Sequence, residues 1–253
     1  MKIVVAGATG TVGRHVVATA TSRGYDVVPL SRSAGHDVST GQGLPQAMAG
    51  AHAVIDVSGE VTTSAKKSIT FATGASRNLL AAEAETGVRH HIALSIVGID
   101  NIDAGYYAGK LAQEQVVSTG SVPWSIVRAA QFHEFAQQVL AAGKLGPLSV
   151  IPKILLRPVA AREVAARLVD VAEHEPVGRA EDFVGPAYER LVDLVRRMFA
   201  FDGVTRPALE VPLPGKYWRA CASGVLRGTA DAEQGQITFD QWLRSADHAQ
   251  VSL

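Results

Sequence analysis

The chain opens on the stretch MKIVVAGATGTVGRHVV (residues 1–17), in which a β-branched run leads directly into three glycines spaced three residues apart. The run has the composition of a buried strand, and the residues after Gly13 have the spacing of a helix. Gly7 permits a tight turn, whereas Gly10 and Gly13 remove side chains that would keep a ligand and the helix away from the strand. The stretch therefore predicts a strand, a glycine loop and a helix whose N-terminus faces a pyrophosphate.

Four more β-branched runs follow, and each precedes a segment with helical spacing. The helices are predicted at about 11–23, 64–86, 106–119 and 131–142. Strands that alternate with helices in this way are typical of a parallel sheet covered on both faces, so the predicted fold is α/β, a Rossmann-like doubly wound parallel sheet. The five predicted strands are KIVVAG (2–7), YDVVPL (25–30), AVIDVSG (53–59), HHIALSIVG (90–98) and PWSIVRA (123–129).

The chain of 253 residues is predicted to form a single dinucleotide-binding domain over residues 1–253. After Gly143 the pattern loosens into short apolar runs with prolines, and two amphipathic segments follow, AREVAARLVDVAEH (161–174) and YERLVDLVRRMFA (188–200). Residues 144–253 are therefore expected to contribute a small α/β lobe of the same domain, which covers the substrate.

The composition argues against several classes of protein. Twenty-four basic residues balance twenty-four acidic ones, which argues against binding to nucleic acid or to a membrane surface. The single cysteine, Cys221, excludes an intrachain disulfide and fits a reducing compartment, so the cytoplasm is expected. His90 and His91 are strand neighbours that point to opposite faces, and no metal site is predicted. The expected partner is a small-molecule substrate, and the chain is either a monomer or a dimer.

The end of the second strand indicates which dinucleotide binds. An NAD site usually places an acidic side chain there to bond the ribose diol, whereas this chain has Ser31 and Arg32. Arg32 and Arg14 would pair with a 2′-phosphate, so NADP(H) is preferred over NAD(H); the alternative for Arg32 is a solvated loop residue. Asp37 is either a contact to the adenine or an ordinary turn residue.

The stretch GYYAGKLAQEQ (105–115) contains residues suited to proton transfer. Tyr106 and Lys110 are four positions apart, about one helical turn, so their side chains lie on the same side of a helix. An ammonium group favours the ionised form of a nearby phenol, and it can also hold the nicotinamide ribose. Ser95, near the end of the fourth strand, can share a substrate carbonyl oxygen with the tyrosine. Tyr106 is either the proton donor or an aromatic residue packed under the floor of the cleft.

With GATGTVG (7–13), Ser95, the Tyr-x-x-x-Lys of residues 106–110 and SIVRAAQFHEF (125–135), the chain resembles the short-chain dehydrogenase/reductase superfamily. It is most similar to the atypical, NmrA-like NAD(P)-binding branch, which includes isoflavone-reductase-like and quinone-reductase-like members. LRPVAAREVAARLVDVA (156–172) and FVGPAYERLVDLVRRM (183–198) are similar to the C-terminal lobe of that group. Some of these proteins bind the dinucleotide and catalyse nothing.

The resemblance implies roles for individual residues. Lys110 matches the lysine that holds the cofactor ribose, and with Tyr106 and Ser95 it forms the expected catalytic set. The substrate is expected beside Phe132, His133 and Phe135; His133 is an alternative acid, a pocket hydrogen-bonding group or a solvated residue at the helix start. The expected cofactor contacts are Gly7, Thr9, Gly10, Thr11, Val12, Gly13, Arg14, Ser31, Arg32, Asp37, Val57, Ser58, Gly59 and Lys110.

The sequence thus favours an NADPH-dependent oxidoreductase that transfers hydride to a small apolar carbonyl or quinone substrate. A non-catalytic NADP(H)-binding sensor or regulator of the NmrA type is the alternative. A nucleotide-sugar epimerase or dehydratase ranks third, because few charges line the stretches expected around the substrate, whereas a diphosphate favours several arginines.

Overall fold

A computed structural model of the chain describes residues 1–100, 102–142, 144–145 and 148–249. The chain divides into two compact units. The first consists of Met1–Ile96, Asp103–Arg128 and Val164–Glu181, and the second consists of Val97–Ile102, Ala129–Glu163 and Asp182–Leu253. The covering lobe expected at 144–253 stays a prediction, and positions 146, 147 and 250–253 of it lie outside the described residues.

Strands and helices are numbered in chain order. The strands are β1 (Lys2–Ala6), β2 (Asp26–Pro29), β3 (Ala53–Asp56), β4 (His90–Ile96), β5 (Trp124–Ala129), β6 (Lys144–Leu145), β7 (Leu148–Pro152), β8 (Leu155–Leu156), β9 (Gly178–Arg179), β10 (Phe183–Val184), β11 (Glu189–Arg190), β12 (Ala208–Val211) and β13 (Glu233–Gln234). The α-helices are α1 (Gly13–Ser22), α2 (Leu44–Met48), α3 (Ala65–Thr86), α4 (Gly105–Ser118), α5 (Phe135–Ala142), α6 (Ala161–Ala172), α7 (Leu191–Phe201), α8 (Lys216–Ser223), α9 (Phe239–Leu243) and α10 (Ala246–Ala249).

A parallel sheet forms the centre of the first unit. Its strands lie in the order β5-β4-β3-β1-β2, and β9 pairs with β5. In the register, Ile3 of β1 lies opposite Val27 of β2 on one side and Ala53 of β3 on the other. The chain therefore proceeds outward from β1 in both directions. The carboxyl ends of β1 and β3 border the point where the strand order reverses, which is where open α/β sheets bind their ligands.

The strands of this sheet are covered on both faces, because successive side chains of β1 point to opposite faces and all from Ile3 to Ala6 are fully buried. Helix α3 begins after Ser64, whose hydroxyl accepts a hydrogen bond from the backbone N–H of Lys67. It packs closely on α4, where the Ser68 hydroxyl donates to the Tyr106 carbonyl oxygen at 3.2 Å. The two packed helices lie against one side of the segment that follows β3.

The predicted α/β fold with a parallel sheet is confirmed, and each of the five predicted strands is present. The predicted helices α1, α3 and α4 begin and end within two residues of the expected positions. The prediction for α5 was wrong at its start, because the helix begins at Phe135 and not at Gln131. Phe132 instead forms a parallel bridge with Val159, and the His133 N–H donates to the Val159 carbonyl oxygen at 3.1 Å.

The second unit is built from short strands and helices. Strand β10 pairs in parallel with β13 and also with Ala129, the last residue of β5. Strand β7 lies between β12, which is parallel to it, and β6, which is antiparallel. Strands β8 and β11 form an antiparallel pair. Helix α7 contributes the largest apolar face among these elements, with Leu191, Val192, Leu194, Val195, Met198 and Phe199 buried.

A buried aromatic group around His133 stabilises the second unit. The His133 ring lies 5.5 Å from the Phe239 ring and 5.9 Å from the Trp242 ring, measured between centroids. Its Nε2 lies 2.9 Å from the Ile237 carbonyl oxygen, so Nε2 carries the proton in the neutral ring. Burial lowers the pKa of His133 to about 4. The ring is therefore neutral at pH 7, and the sequence alternative of a solvated histidine at the helix start was wrong.

The close packing of α3 on α4 predicts opposite effects for two glycine substitutions. A Cβ at Gly109 would overlap the Ser68 hydroxyl and lie 2.8 Å from the Ser68 carbonyl carbon, whereas nothing lies within 4 Å of a Cβ at Gly74 of α3. Gly109→Ala should lower the free energy of unfolding by about 2 kcal/mol through overpacking. Gly74→Ala should raise it by about 0.5 to 1 kcal/mol because alanine favours helix. Urea denaturation measures both, and equal effects would contradict this packing.

The lowered pKa of His133 predicts an acid-sensitive stability. As the pH falls from 6.5 towards 4, the unfolded chain binds a proton at this position and the folded chain does not, so stability is lost. His133→Gln keeps an amide donor for the Ile237 carbonyl oxygen and has no titrating group. The variant should lose about 3 kcal/mol less than the wild type between pH 7 and pH 4. Denaturant unfolding at several pH values measures this, with pH 7.5 as the internal reference; parallel curves would refute it.

Candidate functional site

The glycine loop between β1 and α1 contacts the residues that follow β3. Gly7 has a φ of +79°, a conformation that side chains disfavour. A Cβ at this position would also lie 2.8 Å from the Ser58 backbone nitrogen. A Cβ at Gly13 would overlap the Gly7 carbonyl oxygen, so glycine is required where the helix meets the loop. The backbone therefore agrees with the expected roles. Gly7 permits the turn, and Gly13 permits the close approach of the helix.

The N-terminus of α1 is suited to a phosphate group. Val12 occupies the position before the helix and provides no side-chain hydrogen bond to its first N–H groups. Thr9 and Gly10 are exposed, and Thr11 is half-buried, so the loop is accessible to a ligand. Helix N-termini carry free donors and partial positive charge, which favour an anion. The loop therefore fits the pyrophosphate of a dinucleotide.

Arg14 lies in the first turn of α1, and Arg32 follows the end of β2. Arg32 is exposed and begins a short 3₁₀ turn, Arg32–Ala34, whose start is capped by the Ser31 hydroxyl. The structure gives the Arg32 guanidinium no hydrogen bond or ion pair within the part of the chain that it describes. The buried Nη2 atom of Arg14 likewise has no hydrogen-bond partner among the described residues. Their expected contact with a 2′-phosphate on the adenine ribose stays a prediction.

Asp37 makes its hydrogen bonds within its own loop. Its carboxylate accepts from the backbone N–H of Ser39 at 2.8 Å and from the Ser39 hydroxyl at 2.6 Å. The hydrogen bonds from Ser39, with a smaller contribution from the charge of Arg32, hold the pKa of Asp37 below its usual range. This geometry is that of the ordinary turn aspartate that the sequence offered as an alternative, and the adenine contact stays a prediction.

Lys110 is buried within a polar network at the ends of β3 and β4. Its Nζ donates to the Ser58 carbonyl oxygen at 3.2 Å, to the Leu94 carbonyl oxygen at 3.0 Å and to Gln113 Oε1 at 2.8 Å. Gln113 Nε2 in turn donates to Asp56 Oδ2 at 2.7 Å. An ammonium group has three N–H donors, so each has an acceptor inside the protein. The sequence analysis did not assign Gln113, although it lies three positions after Lys110 on the same helix.

Tyr106 lies beside Lys110, as the spacing predicted. The Lys110 Nζ is 5.9 Å from the centre of the Tyr106 ring. A Cβ at Gly59 would lie 2.5 Å from the Tyr106 hydroxyl, so glycine at this position leaves space for the phenol. Together these residues border a small pocket, which is lined by Ser58, Gly59, Glu60, Ser68, Phe71, Ala72, Tyr106, Gly109, Lys110 and Gln113.

Ser95 belongs to a second polar group near the pocket. Its hydroxyl donates a short hydrogen bond to Glu114 Oε1. Glu114 also accepts from Arg128 in a bidentate ion pair, with Nε at 2.8 Å and Nη2 at 2.7 Å. No hydrogen bond joins Ser95 to Tyr106 within the described ranges. The structure thus brings Tyr106 and Lys110 together and directs Ser95 to a carboxylate that the sequence analysis did not single out.

Of the three residues expected beside the substrate, Phe132 and His133 precede α5 and Phe135 is its first residue. Phe132 is half-buried in its bridge with Val159, and Phe135 is the half-buried first residue of α5. His133 is buried against aromatic rings, and because it is neutral at pH 7 it has no extra proton to donate there. The structure therefore gives no support to His133 as an alternative acid. The expected position of Phe132, His133 and Phe135 beside the substrate stays a prediction.

Neither a membrane-spanning helix nor a metal-binding cluster is found among the described residues. No helix in the described part of the chain is long and apolar enough to cross a membrane. Among the same residues, no three histidine, cysteine or acidic side chains gather where they could hold a metal ion.

Solved structures share this fold over nearly the whole chain. A short-chain dehydrogenase/reductase superfamily protein from Agrobacterium tumefaciens with bound NAD is 18% identical, with a TM-score of 0.69 and coverage of 99% of this chain and 97% of its own. The UDP-glucose 4-epimerase of Thermotoga maritima has a TM-score of 0.75 at 14% identity and 98% coverage of both chains. The dTDP-4-dehydrorhamnose reductase of Bacillus anthracis with NADP has a TM-score of 0.69 at 14% identity, with coverage of 95% of this chain and 92% of its own.

No curated protein matches the sequence. The model of the NAD(P)H-binding family matches residues 7–175, which include the glycine loop, β2 to β5 and α1 to α4. A nicotinamide dinucleotide is therefore the cofactor, and the neighbours include structures with NAD and with NADP. The chain belongs to the NAD(P)H-binding family, which agrees with its resemblance to the atypical, NmrA-like short-chain dehydrogenases/reductases.

Proposed function

We propose that the protein is an NADPH-dependent oxidoreductase that reduces a small, apolar carbonyl or quinone substrate. The observation that carries this proposal is the juxtaposition of Tyr106 and Lys110, at 5.9 Å between Nζ and ring centre, on the border of a pocket at the strand ends. The solved neighbours include reductases, which agrees with a redox function. The cytoplasm is its proposed location, on the grounds of the single cysteine.

The chemistry divides between the cofactor and the chain. When bound, NADPH would supply the hydride that the carbonyl carbon accepts. Tyr106 donates its phenolic proton to the carbonyl oxygen, so that a hydride and a proton together give the alcohol. The Lys110 ammonium attracts the negative charge that forms on the phenolate oxygen as the proton leaves, and it holds the cofactor ribose. Ser95 can bond the same oxygen only after its hydroxyl turns away from Glu114.

The preference for a small apolar substrate rests on the lining of the pocket. Phe71, Ala72 and Gly109 contribute apolar surface, and its charged residues are Glu60 and Lys110. A nucleotide sugar carries a diphosphate, for which this lining offers a single cation. Phe132, His133 and Phe135 are the further proposed substrate contacts.

A second candidate function is an NADP(H) sensor that binds the dinucleotide without turnover. The observation that favours it is the internal satisfaction of the proposed catalytic groups, because Lys110 has acceptors for its three donors and Ser95 donates to Glu114. An epimerase or dehydratase of nucleotide sugars is the third candidate, supported by the fold of the Thermotoga maritima epimerase.

The selection of NADPH is tested by Arg32→Ala. An exposed arginine that pairs with a 2′-phosphate contributes to NADPH binding and not to NADH binding. The variant should bind NADPH about tenfold more weakly and NADH with unchanged affinity, measured by fluorescence titration. Arg77→Ala, at an exposed arginine of α3, is the matched control and should alter neither affinity. Equal losses for both dinucleotides would refute the assignment of Arg32.

The proposed turnover is tested in a stopped-flow instrument. Protein loaded with NADPH is mixed with a panel of quinones and aldehydes, and the loss of NADPH absorbance is followed. Oxidation should occur with at least one acceptor, and Tyr106→Phe should slow aldehyde reduction about a hundredfold because the proton donor is lost. Tyr25→Phe, which removes a surface hydroxyl bonded to Glu173, is the control. No oxidation with any acceptor would exclude these substrate classes and favour the sensor; an unchanged rate in Tyr106→Phe would exclude that residue as the acid.

A further inference from the structure

The Asp56 carboxylate is fully buried at the end of β3 and is surrounded by donors. Its Oδ1 accepts from the Ser58 backbone N–H at 2.9 Å and from the Ser58 hydroxyl at 2.6 Å. Its Oδ2 accepts from Gln113 Nε2 at 2.7 Å. No ion pair joins Asp56 to a cation within the part of the chain that the structure describes. The cation of this network is Lys110, on the far side of the Gln113 amide.

The orientation of the Gln113 amide is fixed by its two neighbours. Nε2 is a donor and faces the carboxylate of Asp56, whereas Oε1 is an acceptor and faces the ammonium of Lys110. The reverse orientation would place a carbonyl oxygen against the carboxylate and two N–H groups against the ammonium, and both contacts would be repulsive. The amide therefore connects a buried anion to a buried cation with one allowed polarity.

We propose that Asp56 and Gln113 are positioning residues for Lys110, and that they fix its ammonium where it meets the nicotinamide ribose. This inference rests on the proposed contact between Lys110 and the cofactor. Asp56 acts on two of the three acceptors around the ammonium, because it holds both the backbone of Ser58 and the amide of Gln113.

The hydrogen-bond lengths indicate which acceptor stays in place when a ligand arrives. The bond from Lys110 to Gln113, at 2.8 Å, is the shortest, and the bond to the Ser58 carbonyl oxygen, at 3.2 Å, is the longest. The longest bond is the weakest, so a ribose hydroxyl would replace the Ser58 carbonyl oxygen, while Gln113 keeps hold of the ammonium. Loss of this anchor should therefore weaken cofactor binding.

Two single substitutions break the polarity of the network. In Asp56→Asn the amide oxygen stays with the two Ser58 donors, so the new NH₂ group faces the NH₂ group of Gln113. Gln113 must then rotate and present donors to Lys110. In Gln113→Glu two carboxylates face each other across a distance that is 2.7 Å in the wild type. Each variant should bind NADPH about tenfold more weakly, since buried donors or charges lose their partners.

The double variant Asp56→Asn/Gln113→Glu restores the pattern with the same net charge. The asparagine oxygen accepts from Ser58, its NH₂ group donates to one glutamate oxygen, and the other glutamate oxygen accepts from Lys110. Its affinity for NADPH should return to within about threefold of the wild type. Gln115→Glu is the matched control, because it makes the same chemical change at an exposed position of the same helix.

The experiment measures NADPH dissociation constants by fluorescence titration and thermal unfolding of the protein without cofactor. Loss in both single variants with recovery in the double variant supports the proposal. If Lys110→Met weakens binding while the single variants bind NADPH as the wild type does, or more tightly, the positioning role is wrong. If Lys110→Met itself binds NADPH normally, the proposed cofactor contact fails instead. Should the single variants not fold, a double variant that folds but binds about tenfold more weakly overturns the proposal.

Discussion

The structure of the first unit depends on the absence of side chains at two positions of the glycine loop. Because Gly7 has no Cβ, the loop after β1 can approach the backbone of Ser58 after β3. Because Gly13 has none, α1 can begin against the Gly7 carbonyl oxygen. Ser58 is bonded to Asp56, and its carbonyl oxygen accepts from Lys110. One steric constraint therefore links the phosphate loop to the lysine of α4 across two strand ends.

The buried Lys110, Asp56 and Glu83 each have a hydrogen-bond partner of the opposite polarity. Removing an ion from water costs several kcal/mol, a cost that hydrogen bonds and neighbouring charges must offset. His91 and Glu83 illustrate this, with Nδ1 and Oε1 at 2.7 Å and both side chains fully buried. Burial is the largest single effect on the pKa of His91 and lowers it, but the charge of Glu83, the hydrogen bond to Glu83 and the charge of Asp56 together outweigh burial, so the pKa is raised. His133 is also buried, but among the described residues it has no carboxylate partner, and burial lowers its pKa to about 4.

The sequence predicted the features that depend on local periodicity and on short motifs. The five strands, the turn at Gly7 and the proximity of Tyr106 to Lys110 follow from spacing along one segment. The network of Asp56 with Gln113 was not predicted, because its members are 57 positions apart and meet only when α4 packs against the end of β3. The start of α5 was missed for a similar reason, since Val159 pairs with Phe132 from a distant part of the chain.

Cofactor binding and chemistry are encoded in different parts of the first unit. The glycine loop provides backbone donors, a helix terminus and space, and such a loop binds a dinucleotide whichever reaction follows. The reaction depends on which polar atoms face the bound nicotinamide; we propose that α4 supplies them, since its Tyr106, Lys110 and Gln113 line the pocket. Of these three side chains, Lys110 and Gln113 are hydrogen-bonded within the same network. In the proposed function, a substitution in that network acts on the nicotinamide end of the dinucleotide, whereas the loop acts on its pyrophosphate, and this separation allows one fold to serve as a reductase or as a sensor.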